Sequence, residues 1–531
     1  MSVKNHFFGS KIDYKKNLRQ IWPSPPRIPI LGSLPFIIGK DISQQCWEWR
    51  KKYGPIFALK LGTSSESLMV CGAALARELL VIKGYSLKTR QNPLFYAKEL
   101  RLDEFFPPAM TTTAHVITQR QLLSKAIRES ISQGEGNCVD RDSKYFLCQL
   151  QKRIKLSPKP DKSVGILETI LECSVVCAIS LGFGFRWSPQ ELNSAPEGRE
   201  VVKLTGKFFE MLESFYEPTI PFSFLVSLLS WRTKRLRREA ADVSKRILSV
   251  YSLLYERARQ SFESENISIE NSVAKTLFTS ETNADLSDFE KFCLAGVAMA
   301  SSTTTTSYTI YTIIGCLAAY PEWQNRAHKE IDDYLKTLDS EKDLLLPSTD
   351  PEELRNFPII KAIVDETIRL FPVFPILDRI ADDDIALSDG RQINKGQRIF
   401  FLYHSINRDT DMFKDPEEFN PNRFLKNKSN YDDFVPKVTW EKYGHSSFSG
   451  GRRACPGSQF ALHKAMCYIS RLLYCYEFKF KNNKVGLENI KAFQTGVERV
   501  THIPDLIFKP RVPNLDKHLE KLSYLEKKAF V

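Results

Sequence analysis

A mainly α-helical chain with small β-sheets packed at one side is the fold the sequence predicts, and three observations carry it. Apolar residues recur at helical spacing over most of residues 73–334. Residues 57–61 and 67–71 are short runs of strand-forming side chains separated by Gly62 and polar residues, which reads as a hairpin. Further extended runs follow at residues 380–401, 476–480 and 501–508.

Residues 1–22 carry Lys4, Lys11, Asp13, Lys15, Lys16 and Arg19, charges that forbid a bilayer-spanning helix and suit no secretory signal. Residues 23–40, with Pro23, Pro25, Pro26 and Pro29, read as a proline-rich hinge ahead of a single large domain, residues 41–531. The helical stretch is broken by loops around Pro107-Pro108, Ser188-Pro189 and residues 264–271. Residues 166–185 are apolar but contain Glu168 and Glu172, so they form a buried core helix. Residues 220–231 are apolar and run into Arg232, Lys234, Arg235, Arg237 and Arg238. That pattern suits a segment dipping into a membrane interface, and equally a core segment followed by a solvated helix face.

A long helix is predicted over Asp288–Ala319, opened by a capping box of Ser287 with Glu290 and stopped by Pro321. Its Ala298, Ser301, Ser302, Thr305 and Thr309 share one face. Small and hydroxyl-bearing side chains there leave room for a flat ligand, and the hydroxyls can bond back to carbonyls and bend the helix. On a later helix Glu366 and Arg369 stand three residues apart and can pair. Glu352 and Arg355 have the same spacing and predict a solvated pair, so spacing alone is a weak signal.

Composition limits the function classes. A chain of 531 residues buries most of its apolar surface without disulfides, and its 11 cysteines include no Cys-x-x-Cys pair. A zinc module or a disulfide scaffold is not expected on that pattern, and the cysteines are expected to be mostly reduced and buried. The formal charge of +12 suits an acidic partner or an anionic membrane surface. No basic stretch is interleaved with stacking aromatics, so nucleic acid is not expected as a partner.

The sharpest chemical signal is Cys455, which follows Gly450, Gly451, Arg452 and Arg453 and precedes Pro456, Gly457 and a helical pattern from about Ser458. Pro456 in the first turn would leave Cys455 among free N–H groups at the positive end of a helix. Both influences lower a thiol's pKa and hold the sulfur as a metal-binding anion.

This run resembles the haem-binding loop of the cytochrome P450 family, Phe-x-x-Gly-x-Arg-x-Cys-x-Gly, at Phe448, Gly451, Arg453, Cys455 and Gly457. The likeness spans residues 25–510 and is closest in pattern to microsomal-type fungal members. It implies haem b (iron protoporphyrin IX), with Cys455 as the axial ligand of the iron and Arg453 and Arg379 on its propionates. It also implies a mainly helical fold with the haem between the long helix and the cysteine loop. The family's small-Gly-x-acid-Thr motif falls on residues 301–305, with Thr305 as the alcohol that helps deliver protons to bound O2. Ser302 replaces the glycine and Thr304 the acid, so proton delivery would run through Thr304, Thr305 and water. Glu366, Arg369 and Arg423 match a buried structural cluster behind the haem loop. The family's Trp-x-x-x-Arg is degraded to His115 and Gln119, with Arg120 adjacent. The pocket would be lined by the long helix, by Phe371, Val373, Phe374 and Ile376, and by the turn at residues 493–497.

The resemblance implies a monooxygenase that oxidises an apolar small molecule, secondary metabolites included, using O2 and electrons from NADPH-cytochrome P450 reductase. Arg452, Lys442 and Lys125 would form a basic face for that acidic flavoprotein. Alternatives are a haem–thiolate isomerase or dehydratase needing no external electrons, or a non-catalytic haem-binding protein. The expected location is the cytosolic face of the endoplasmic reticulum membrane with peripheral contact, or the cytoplasm if an anchor is genuinely lacking.

Overall fold

The computed structural model describes residues 22–37, 39–62, 66–90, 98–132, 136–185, 187, 192, 194–213, 230–264, 270–280, 286–338, 346–425, 444–495 and 498–529. Residues 1–21, the apolar run at 220–229 and Lys442 lie outside them, as do the tip of the 493–497 turn and the Ser188-Pro189 loop.

Strands β1 (Ile56–Leu59) and β2 (Ser67–Val70) form the expected hairpin, with Ile56 opposite Val70. The later patch supplies β3 (Ile376–Ile380), β4 (Ile385–Ala386), β5 (Gln392–Ile393) and β6 (Arg398–Leu402). β6 pairs parallel with β2 and antiparallel with β3, giving a four-stranded sheet in the order β1-β2-β6-β3. The C-terminal part adds β7 (Tyr476–Phe480), β8 (Lys491–Thr495), β9 (Glu498–His502) and β10 (Leu506–Pro510). The run at 501–508, expected as one extended stretch, is divided: β9 pairs with β8 and β10 with β7.

The rest of the described chain is largely helical. The central helix occupies Asp288–Ala319, and its capping box is present: the Ser287 hydroxyl accepts from the Glu290 N–H while Glu290 takes the Ser287 N–H. The apolar helix Leu167–Phe183 packs against it, with Glu168 and Glu172 at its edge beside Arg153. Close approach is what glycine permits here. A Cβ on Gly182 would stand 2.7 Å from the Ala295 carbonyl oxygen, and one on Gly296 would stand 2.1 Å from the Tyr251 ring.

The helix Ser458–Cys475 crosses the same core, and two buried ion pairs tie it to the helix Cys138–Leu156. Lys464 meets Asp142 at 2.8 Å and Arg471 meets Asp140 at 2.6 Å. Among the described residues no helix is long and apolar enough to cross a membrane.

Candidate active site

A cavity of about 350 Å³ opens between the central helix, β3 and the loop that carries Cys455. Nine of the eleven cysteines are buried; Cys455 is the one whose side chain is exposed, and it lines this cavity. Its loop is closed by the Cys455 N–H donating to the Phe448 carbonyl at 2.9 Å. Gly451 lies at φ +62°, and a Cβ there would sit 2.1 Å from the Leu80 carbonyl oxygen, so this glycine is required twice over. At Gly457 a Cβ would meet only the Cys455 sulfur, at 4.0 Å, so the glycine keeps the space beside the sulfur clear.

Two local expectations are corrected. The helix begins at Ser458 with Gly457 as its cap, so Pro456 lies outside the first turn. The Cys455 thiol is exposed only toward the cavity and is otherwise enclosed by protein. That burial pushes its pKa up, and the opposing pull of the Gly457 N–H and of Arg120 does not overcome it.

Four guanidinium groups converge here. Arg90, Arg120 and Arg453 line the cavity, and Arg379 lies buried behind it on β3. Burial depresses the pKa of all four, and neighbouring arginines add to the effect on Arg90, Arg120 and Arg453. Among the described residues, Asp378 is the carboxylate whose charge reaches Arg90, Arg379 and Arg453, and it is itself paired with Arg398 at 2.9 Å. Arg379 Nη2, Arg90 Nε and Arg453 Nε are buried without hydrogen-bond partners among the described residues. Uncompensated buried cations call for anionic oxygens from a ligand.

Arg453 is less free than expected. Its terminal nitrogens donate to the carbonyls of Lys88, Pro107, Pro108 and Met110 and to the Thr112 hydroxyl, so it clamps that loop to the cysteine loop. Arg120, which the sequence placed beside a degraded motif, donates to the Ala454 carbonyl at 2.6 Å, one residue from the sulfur. His115 and Gln119 turn elsewhere, both bonding Glu290 in the central helix's capping box.

Across the cavity the central helix presents Ala298, Ser301, Ser302, Thr305 and Thr309, the face read from the sequence. Thr305 donates to the Ser301 carbonyl at 2.7 Å and Thr309 to the Thr305 carbonyl at 2.9 Å. Thr304 is not part of the lining; it donates to the buried Glu498 carboxylate at 3.0 Å. Phe371, Val373, Phe374 and Ile376 close the cavity on the apolar side.

Behind the cysteine loop, Glu366 accepts from Arg369 Nε at 2.6 Å and from Arg423 Nε at 3.2 Å. Arg369 also donates to the Asn407 carbonyl at 2.8 Å, and the Asn407 side chain holds the Ser446 N–H and the Ser447 hydroxyl. Sequence reading missed Asn407, because a lone asparagine at the end of the short helix Tyr403–Ile406 carries no signal until the loop is folded over it. The surface pair Glu352–Arg355 forms too, with its side chains 72 % and 75 % exposed.

Unpartnered buried guanidinium nitrogens beside a cavity-facing cysteine sulfur fit a flat ligand with anionic arms and a metal that takes a single sulfur, the donor set of a haem–thiolate protein. Comparison with known families agrees: residues 23–501 match the model of the cytochrome P450 family. The chain belongs to that family, whose members carry haem with a thiolate ligand, and it is a monooxygenase of that type. Similar curated proteins include the cytochrome P450 monooxygenase macC of Penicillium terrestre, 23 % identical over 88 % of this chain and 84 % of that one. Psoralen synthase of Ammi majus is 25 % identical over 88 % of each chain. Cytochrome P450 76T24 of Catharanthus roseus is 24 % identical over 90 % of each.

Proposed function

We propose that this monooxygenase inserts one atom of O2 into an apolar small organic molecule, with electrons from NADPH delivered by an acidic flavoprotein reductase. The supporting observation is one cavity that joins the Cys455 sulfur, a cationic group for carboxylates, a hydroxyl-lined helix and an aromatic–aliphatic wall. The names of the relatives, among them enzymes of specialised metabolism, point to a secondary metabolite as the substrate class.

In this reading Cys455 would supply the thiolate that holds the haem iron, Arg120, Arg379 and Arg90 would meet the propionates, and Arg453 holds the loop that shapes the pocket. Bound there, haem supplies the activation of oxygen, and a thiolate ligand favours O–O cleavage. Phe371, Val373, Phe374 and Ile376 hold the substrate and exclude water. Thr305 has spent its donor on Ser301 and keeps its lone pairs for a proton-carrying water. Glu366, Arg369 and Arg423, through Asn407, fix the cysteine loop and so retain the haem. The exposed Ile28, Ile30 and Leu31 within the hinge support peripheral contact with a membrane.

The test pairs the visible spectrum of the reduced, carbon-monoxide-bound protein with product analysis. The wild type should give the thiolate-ligated spectrum and an oxygenated product that requires NADPH and reductase. Cys455→Ser should lose both. An unchanged spectrum in Cys455→Ser would overturn the ligand assignment. A product formed without NADPH would assign an isomerase or dehydratase instead.

A further inference from the structure

The central helix carries no acid at its cavity turn, yet a carboxylate reaches that turn from another part of the chain. Glu498 opens β9 and is 1 % exposed. Its Oε1 accepts from the Thr304 hydroxyl at 3.0 Å, and Thr304 lies within the turn that sends Ser301 and Thr305 into the cavity. The contact is one of three that register β9 and the residue beyond it on the helix. Thr501 and Thr312 share a hydroxyl–hydroxyl bond at 2.7 Å, and the Ile503 N–H donates to the Tyr311 hydroxyl at 3.3 Å. The next residue, Arg499, ties the strand to the cavity wall itself, its N–H donating to the Val373 carbonyl at 2.7 Å. Glu498 is therefore held in place from both sides, and an ionisable group is not buried beside a reaction cavity without cost.

We propose that Glu498, acting through Thr304, is the proton-feeding carboxyl group of this site, supplied by β9 in place of an acid on the central helix. The inference rests on the monooxygenase reading above. That reaction takes up O2, two electrons and two protons, and leaves one oxygen in the product and one in water. Thr304 stands half-buried just behind the lining, so the relay needs a bridging water: Glu498 gives its proton to the Thr304 oxygen as Thr304 passes its own hydroxyl proton to a water that leads to the cavity-lining Ser301 and Thr305. Glu498 then recovers a proton from solvent. No electron moves among these groups, and a carboxyl–hydroxyl bond can run in either direction. Glu498 touches neither substrate nor cofactor, so it is a positioning residue whose effect passes through Thr304.

The experiment compares wild type, Glu498→Gln and Thr304→Val as holoproteins. Thr304→Val is nearly isosteric and leaves Ser301 and Thr305 in place, so it carries the test if Glu498→Gln does not fold. Both variants should keep the reduced carbon monoxide spectrum and the substrate-induced spectral shift. Product per NADPH should fall about tenfold or more, with hydrogen peroxide rising to match. Product driven by added hydrogen peroxide, which brings its own protons, should stay within about twofold of wild type. In the infrared, the carboxyl bands of resting protein that vanish in Glu498→Gln should move in Thr304→Val. Wild-type coupling in either variant, or bands indifferent to Thr304→Val, would overturn the proposal and leave Glu498 a strut between strand and helix. A wild type that forms no NADPH-dependent product sinks the monooxygenase reading instead, and the infrared comparison still decides the Glu498–Thr304 link.

Discussion

Arg355 and Arg369 each stand three residues after a glutamate, and the fold treats them oppositely. The first pair is solvated, whereas the side chains of Glu366 and Arg369 are 0 % exposed. Spacing alone could not separate them; burial does, and burial is a property of the fold. Arg369→Ala would leave the buried Glu366 carboxylate with Arg423 as its one cationic partner among the described residues and should cost about 3–5 kcal/mol, read as a shift in the urea unfolding midpoint. Arg355→Ala should cost at most about 0.5 kcal/mol in the same measurement. Cys455 shows the same limit of sequence in another form. Its loop is legible residue by residue, but the position of its thiol equilibrium is decided by protein packed around the sulfur from distant segments. Asn407 and Glu498 were illegible for that reason, and Arg120 was visible only as the neighbour of a degraded motif: each is an ordinary polar residue until another element meets it.

Whole elements were read more faithfully than single contacts. The central helix runs over the residues its caps predict, because a capping box and a following proline are local chemistry. Where β9 ends and β10 begins was not visible, since both are short apolar runs and only their partner strands distinguish them. Two predictions belong at this scale. A methyl group on Gly296 meets the Tyr251 ring, so Gly296→Ala should destabilise by about 1–3 kcal/mol and lower the thermal midpoint.

The second concerns Glu330, which accepts from the N–H groups of Ile359 and Ile360 at the start of the helix Pro358–Leu370. Burial pushes its pKa up from an ordinary 4.5 to about 7 despite those two bonds. Between these values the folded protein holds more protons than the unfolded chain, so stability should fall as pH rises from about 4.5 to 7. Glu330→Gln should flatten that part of the thermal midpoint–pH curve, and an equal slope in the variant would refute the assignment.

At the scale of the whole molecule, the charge of +12 favours an acidic partner. Arg452 on the cysteine loop and Lys125 on the helix Ala114–Ile131 are both exposed, while Lys442 lies outside the described residues. If this is where the reductase docks, Arg452→Glu with Lys125→Glu should raise the KM for reductase several-fold at low salt. The difference should shrink above about 0.5 M salt, where exposed charges are screened. A KM unchanged at low salt would place the docking surface elsewhere.

The pairs Lys464–Asp142 and Arg471–Asp140 set an order of events during synthesis. Each joins residues more than 300 positions apart, as the Tyr468–Asp142 contact between the same helices does at a separation of 326. While the ribosome is still making the last fifth of the chain, Asp142 lacks Lys464, Asp140 has Lys144 but not Arg471, and the cysteine has not emerged. With Cys455 as the haem ligand, cofactor capture is expected only at the end of translation. A nascent chain halted before Ser458 should be a target for chaperones rather than a half-built enzyme.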